Sequence, residues 1–182
     1  MRFSPLNDQA LPEVELLYLG GGYPELHGEK LASNVAMRQA IRSFSERGGA
    51  IYAECGGMMY LTQAVRDFEG RRHEMVGVFP AEAVMSRTTM TLAYRHVAVS
   101  KSCLLGQPGM RARGHEFHFS TLEPTECLDY ACSVTDAQGR GTGLDGLVSG
   151  NTLALYTHLH FASQPQIAKA LVVTAQQTVG YR

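Results

Sequence analysis

The sequence carries almost no excess charge: 16 Lys and Arg against 17 Asp and Glu in 182 residues leave a formal net charge of −1. No Lys/Arg-rich run breaks that balance, so the electrostatic footprint that nucleic acid or anionic lipid requires is missing, and neither is expected as a partner. Cysteine is also scarce. Cys55, Cys103, Cys127 and Cys132 show no C-x-x-C spacing and fall short of a secreted disulfide scaffold, which favours a reducing, cytoplasmic setting. No apolar run approaches the roughly 18 to 20 residues of a membrane helix, and the opening MRFSPLNDQALPEVE lacks the pattern of a signal peptide. There is no G-x-x-x-x-G-K-[ST] loop, so the chain has no recognisable cradle for ATP phosphates. A small molecule or another protein remains as the partner class. A length of 182 residues suits a single domain, 1–182, able to bury a core without disulfides or metals.

What is present alternates between strand and helix. VELLYLGGG (14–22) is an apolar run ending in three glycines, as a buried parallel strand with a tight exit would be. Apolar residues at Met37, Ala40, Ile41 and Phe44 recur at helical spacing and predict one amphipathic helix over 31–47. AIYAE (50–54) reads as a second buried strand and GMMYLTQAV (57–65) as a second helix, an alternation that implies right-handed crossovers and a parallel sheet. The middle of the chain breaks into extended segments, predicting several strands, some antiparallel and outside the main sheet. GLVSGNTLALYTHLHF reads as a hairpin feeding a last core strand, and Ser163 with Gln166 as a capping box opening a final helix with Pro165 in its first turn.

Cys55 stands between AIYAE and the glycine pair of GGMMYL. A side chain on so sharp a strand-to-helix turn is pushed above the carboxyl edge of the sheet, and the start of the helix favours thiolate over thiol. Inert packing is the alternative, because free cysteines are among the most buried residue types. A thiolate nucleophile needs a base, and the latest apolar strand, LALYTHLHF, offers His158 and His160. Strand alternation places both on one face and does not separate them. Backbone amides around Gly21, Gly22 and Gly56 are candidates for an oxyanion hole. A metal site built from His115, His118, His158 and His160 is a competing possibility, weakened because residues three apart on a strand face opposite ways.

Together, YLGGGYPE, GGAIYAECGGMMYL, RGHEFHFS and YTHLHFAS resemble, over essentially the whole chain, the carboxy-terminal glutamine amidotransferase domains of the cobyrinate a,c-diamide synthases of cobalamin biosynthesis. The resemblance implies a flavodoxin-like α/β fold of the class I (triad) amidotransferases, with a central, mostly parallel sheet flanked by helices. It implies that glutamine acylates Cys55 and that the ammonia released serves an ATP-dependent amidation of the a and c carboxylates of a corrin precursor. It selects His158 as the base. It also implies a longer enzyme, with ATP and magnesium in an amino-terminal synthetase domain, no cofactor or metal in this one, and Arg95, His115 and Glu116 facing that domain or its substrate; a homodimer stays open. A stand-alone Cys hydrolase of the flavodoxin-like group is the other alternative. Ordinary triad amidotransferases read His-x-Glu, but here His160 stands two residues after His158, as in the resembled branch. The group that orients His158 is left open between a backbone carbonyl, a water and His160.

Overall fold

The computed structural model describes residues 1–178. Its first half holds β1 (Leu16–Leu19), α1 (Gly28–Ser33), α2 (Val35–Glu46), β2 (Ala50–Glu54), α3 (Gly56–Leu61), β3 (Thr62–Arg66), β4 (Arg72–Glu74) and β5 (Phe79–Met85). Strands dominate the second: β6 (Thr91–Val99), β7 (Arg111–His118), β8 (Ser120–Pro124), β9 (Tyr130–Asp136), β10 (Gly141–Ser149), β11 (Thr152–Leu155) and β12 (His158–Leu159), before α4 (Pro165–Thr178). Single 3-10 turns at Pro24–His27 and Phe161–Ser163 precede α1 and α4. No described helix is long and apolar enough to cross a membrane.

Eight strands form the main sheet in the order β1-β2-β11-β10-β9-β6-β7-β12. Only β1, β2 and β11 run parallel; every other neighbouring pair is antiparallel. The sheet is therefore mixed, not mostly parallel, because the extended middle segments join it as a meander. The strands expected outside it belong to a second sheet, β4-β3-β5-β8, whose central pair β3–β5 is parallel and whose outer pairs are antiparallel. Only two residues separate β11, beside β2, from β12, beside β7, so the main sheet curls round to bring its far edge over its parallel centre.

Burial follows the two faces of the parallel strands. Leu17, Leu19, Ile51 and Ala53 pack with Met37, Ile41 and Phe44 of α2 and with α3, whereas Ala50, Tyr52, Leu153 and Leu155 pack with Ile167 and Leu171 of α4. Ile41 is fully buried; truncating such a side chain to alanine costs about 2–5 kcal/mol.

Two expected helices are cut short, each by a polar side chain. Asn34 divides the helix predicted over 31–47: its amide donates to the Pro5 and Asp8 carbonyls at 2.8 Å, and its oxygen caps α2 by accepting from Met37 N–H at 3.3 Å. Thr62 ends α3 well before residue 65. Its backbone is extended and its hydroxyl donates to Met59 O, so Thr62–Arg66 is released to pair with β4 and β5. At α4 the Ser163 hydroxyl accepts from Arg113 N–H at 3.0 Å and lies within the preceding 3-10 turn.

Candidate active site

Cys55 sits where the sequence placed the turn. Its φ of 47° and ψ of −107° make it the one non-glycine with positive φ among the described residues, and its N–H donates to Leu155 O at 2.7 Å, locking the turn to the end of β11. Strain of this kind costs on the order of 1–3 kcal/mol and persists only where the surroundings impose it. They do so here. A Cβ on Gly56 would strike the backbone of Gly22, and one on Gly57 the carbonyls of Leu19 and Gly20, so the two glycines let the loop after β1 lie directly on the start of α3.

The next residue back, Glu54, is the one that sequence reasoning missed. It ends a strand whose five residues are all buried, and it is itself 4% exposed. Its carboxylate accepts from Tyr52 Oη at 2.7 Å, Tyr18 Oη at 2.8 Å and Leu159 N–H at 2.9 Å, and its Oε2 lies 3.7 Å from His158 Nδ1. Burial opposes ionisation of Glu54, but the bonds from His158, Tyr52, Leu159 and Tyr18 outweigh it and hold its carboxyl below the ordinary value. The two phenols are pushed up by burial and by this carboxylate, so they stay protonated donors. A carboxylate closing a buried strand, next to a cysteine and two residues after a tyrosine, was the signal available, since such a group is almost never buried without partners.

His158 lies between Cys55 and Glu54. Its pKa is raised to about 10, first by its hydrogen bond with Cys55 and then by Glu54, against the opposing effect of burial. The carboxylate beside His158 comes from β2, and His160, two residues after His158, is exposed, its N–H donating to Arg113 O. Gly21 completes the setting, because a Cβ there would land on the His158 ring. Gly21, Gly22 and Gly56 are thus gathered with Cys55 and His158, with Gly21 against the ring and Gly22 against Gly56.

The segment RGHEFH is placed differently from expectation. His115 is exposed and stacks on His158, ring centroids 4.9 Å apart and planes 11° apart. Arg95 and Glu116 face inward and pair with each other at 2.9 Å, with Glu116 7% exposed. They are thus not a solvated strand face, because alternation along β7 turns Glu116 away from the side that presents His115. His118 stacks on Tyr156 at 4.0 Å, away from His115, so the four histidines do not converge on one point.

The sulfur itself is roofed. Cys55 is 6% exposed, its Sγ is 3.7 Å from Phe117 O, and the space beside it, lined by Gly22, Tyr23, Met59 and Phe117 among others, is about 30 Å³. That holds one or two waters but no carboxamide side chain. The turn stands at the carboxyl end of β2 as expected, but the sulfur is buried there because the curl of the sheet brings β7 over it. A larger cavity of about 450 Å³ is lined by Tyr18, Gly20, Gly21, Gly22, Gly56 and Tyr60 among others, sharing Gly22 and Tyr23 with the space beside the sulfur.

A family model described as the CobB/CobQ-like glutamine amidotransferase domain matches residues 1–166. The cobyrinate a,c-diamide synthase of Salmonella typhimurium is 39% identical over 180 residues, a match spanning 98% of this chain and 39% of that protein. That of Methanosarcina barkeri is 41% identical over 187 residues, spanning 96% and 38%. More than half of each relative therefore lies outside the match. Among solved structures, PurLQS from Thermotoga maritima is similar with a TM-score of 0.60 at 17% identity, covering 96% of this chain and 82% of that one. The glutaminase domain of Trypanosoma brucei CTPS with bound acivicin is similar with a TM-score of 0.54 at 11% identity, covering 92% and 72%. Identities so low bear on the fold alone, which is that of the class I glutamine amidotransferases. With a family model over most of its length and relatives near 40% identity across nearly all of it, the chain belongs to the family of CobB/CobQ-like glutamine amidotransferase domains.

Proposed function

We propose that the chain is the glutamine-hydrolysing part of a cobyrinate a,c-diamide synthase, with Cys55 as nucleophile, His158 as acid and base, and Glu54 as the carboxylate that orients His158. The observation that carries this is the convergence of the three side chains at the carboxyl ends of β2 and β11. Glutamine's carboxamide carbon is attacked by the Cys55 thiolate, whose proton rests on His158. The tetrahedral oxyanion forms beside the amides of Gly22 and Gly56. His158 gives its proton to the departing nitrogen, leaving a thioester and free ammonia; the neutral ring then activates water, which releases glutamate and restores the thiol. Glu54 holds one ring nitrogen so that the other faces the sulfur, and it stabilises the charged ring.

The ammonia would be consumed by an ATP-dependent ligase portion outside this chain, acting on the a and c carboxylates of a corrin precursor. No step on this chain involves ATP or magnesium. The narrow space beside Cys55 implies that β7 and the loop of Tyr23 must part before glutamine enters, so hydrolysis by this chain alone is expected to be slow until that portion docks. Four unpaired cysteines suit a cytoplasmic location.

In the full synthase, Cys55→Ser is expected to abolish amidation driven by glutamine and to leave amidation driven by free ammonium intact. Persisting use of glutamine would overturn the assignment.

A further inference from the structure

RGHEFH has no chemical step in this scheme, yet it meets the segment carrying the base residue by residue. A Cβ on Gly114 would strike Thr157 Cγ2 and His158 O, so this glycine lets β7 close onto the base segment. His115 stacks on His158, and His118 stacks on Tyr156. Between these stacks Glu116 Oε1 lies 3.3 Å from Thr157 Oγ1, and its Oε2 is held by Arg95. Thr157 is fully buried, and its hydroxyl donates to Asp145 Oδ2 at 2.8 Å.

Asp145 completes the grip from β10. It is 6% exposed and accepts from Gly146 N–H at 2.8 Å, Tyr156 N–H at 3.0 Å and Thr157 N–H at 3.1 Å. These three amides and the Thr157 hydroxyl are all donors to it, and two of the amides stand just before the base. Two buried carboxylates on different strands thus share one hydroxyl directly before His158. Packing alone would be satisfied by apolar side chains, and leaving either carboxylate without its partners would cost the full desolvation of a buried charge. Such an arrangement is retained where a polar group fixes one geometry against near neighbours.

We propose that Thr157, with Glu116 and Asp145 as its two carboxylate partners, is the positioning device for His158, setting the distance and plane of the ring relative to Cys55. This rests on His158 being the base. The loss is expected in the chemical step, because displacement of a reacting group by about 1 Å costs on the order of 10²-fold in rate.

The test is glutamine hydrolysis by the full synthase, with kcat and KM measured alongside the thermal unfolding midpoint. Thr157→Val removes the hydroxyl with little change of shape: kcat is expected to fall by about 10- to 100-fold, with KM held, with the unfolding midpoint lowered but still above the assay temperature, and with Thr157→Ser restoring the rate. Glu116→Gln keeps its oxygen on Arg95 and turns its NH2 toward Thr157 Oγ1 as a donor, so it should lose less than Glu116→Ala. Wild-type kcat in Thr157→Val, or a loss matched by an equal loss of folded protein, would overturn the proposal. Full activity in His158→Ala would instead overturn the assignment of the base.

Discussion

Replacing Glu54 by glutamine exchanges one oxygen for an NH2 at a place where every contact is to a donor or to a positively charged ring. Oε1 takes both Tyr52 Oη and the Leu159 amide, and the amide cannot turn, so the glutamine oxygen must occupy that side. The NH2 then faces Tyr18 Oη and His158 Nδ1. Two effects follow. The first is loss of charge: unit charges about 4 Å apart attract by roughly 4 kcal/mol at an effective dielectric of about 20. The His158 side chain is 25% exposed and 3.7 Å from the carboxylate, so solvent screening is substantial; about half that energy, near 2 kcal/mol, corresponds to about 30-fold in kcat. The second is the tautomer, since an amide N–H facing Nδ1 favours the ring form with its proton toward the sulfur, the form that cannot act as base. In a serine-protease triad the corresponding change costs about 10⁴-fold. The expected loss of kcat for Glu54→Gln therefore lies between these bounds.

The pH profile tests the same substitution independently. His158 is protonated below its raised pKa of about 10, so the pairing with Glu54 is fully present below the ordinary value of 6.5 and is lost as pH rises through about 10. Without the carboxylate the alkaline limb of glutamine hydrolysis by the full synthase should move to lower pH. An unchanged kcat and an unmoved alkaline limb, in a protein that His158→Asn inactivates, would refute the role given to Glu54.

Gly21 and Gly20 form a matched pair, since neither has positive φ but only a Cβ on Gly21 meets the His158 ring, while one on Gly20 meets nothing within 4 Å. Gly21→Ala is expected to lose glutamine hydrolysis with little change in thermal stability and Gly20→Ala to keep both; equal kinetics for the two would discount the contact. Away from the site, His73, with Arg71 and two backbone amides, holds Asp67 at about 2 against a usual 3.8. The stabilisation from that depressed pKa is present above 3.8 and lost as pH falls through about 2, so Asp67→Asn should lower the unfolding midpoint at neutral pH and flatten the acid limb. An acid limb that survives the substitution would move the cause elsewhere.

Local features were legible where one short segment contains its own cause. The turn at Cys55 needs only an apolar strand, a residue able to bear strain and two glycines, all within AIYAECGG. Strands β1 and β2 and the buried face of α2 follow from apolar runs and helical spacing alone. The helix predicted over 57–65 ran too long because a short apolar stretch has no period that separates helix from strand, and the Thr62 hydroxyl, the competitor that ended it at Leu61, acts only with a neighbouring sheet in place. The mostly parallel sheet failed similarly, since nothing in the middle segments records which edge they join.

Glu54 is hard to single out for a related reason. In the sequence it is only the last residue of a strand, whereas the ordinary motif puts the orienting group two residues after the base. The ion pair of Arg95 with Glu116 joins residues on two different strands, and no spacing rule links them.

By itself the sequence determined that a strained cysteine would close a buried strand beside a glycine loop, and that a histidine on the last strand was available to it, because backbone sterics and apolar patterning act over a few residues. Resemblance to a family selected His158 from the sequence; tertiary structure decided which carboxylate lies against it. The curl of the main sheet brings β12 against the end of β2 and β7 over both, and that depends on pairings between strands far apart in the chain, where contact distances settle what spacing cannot.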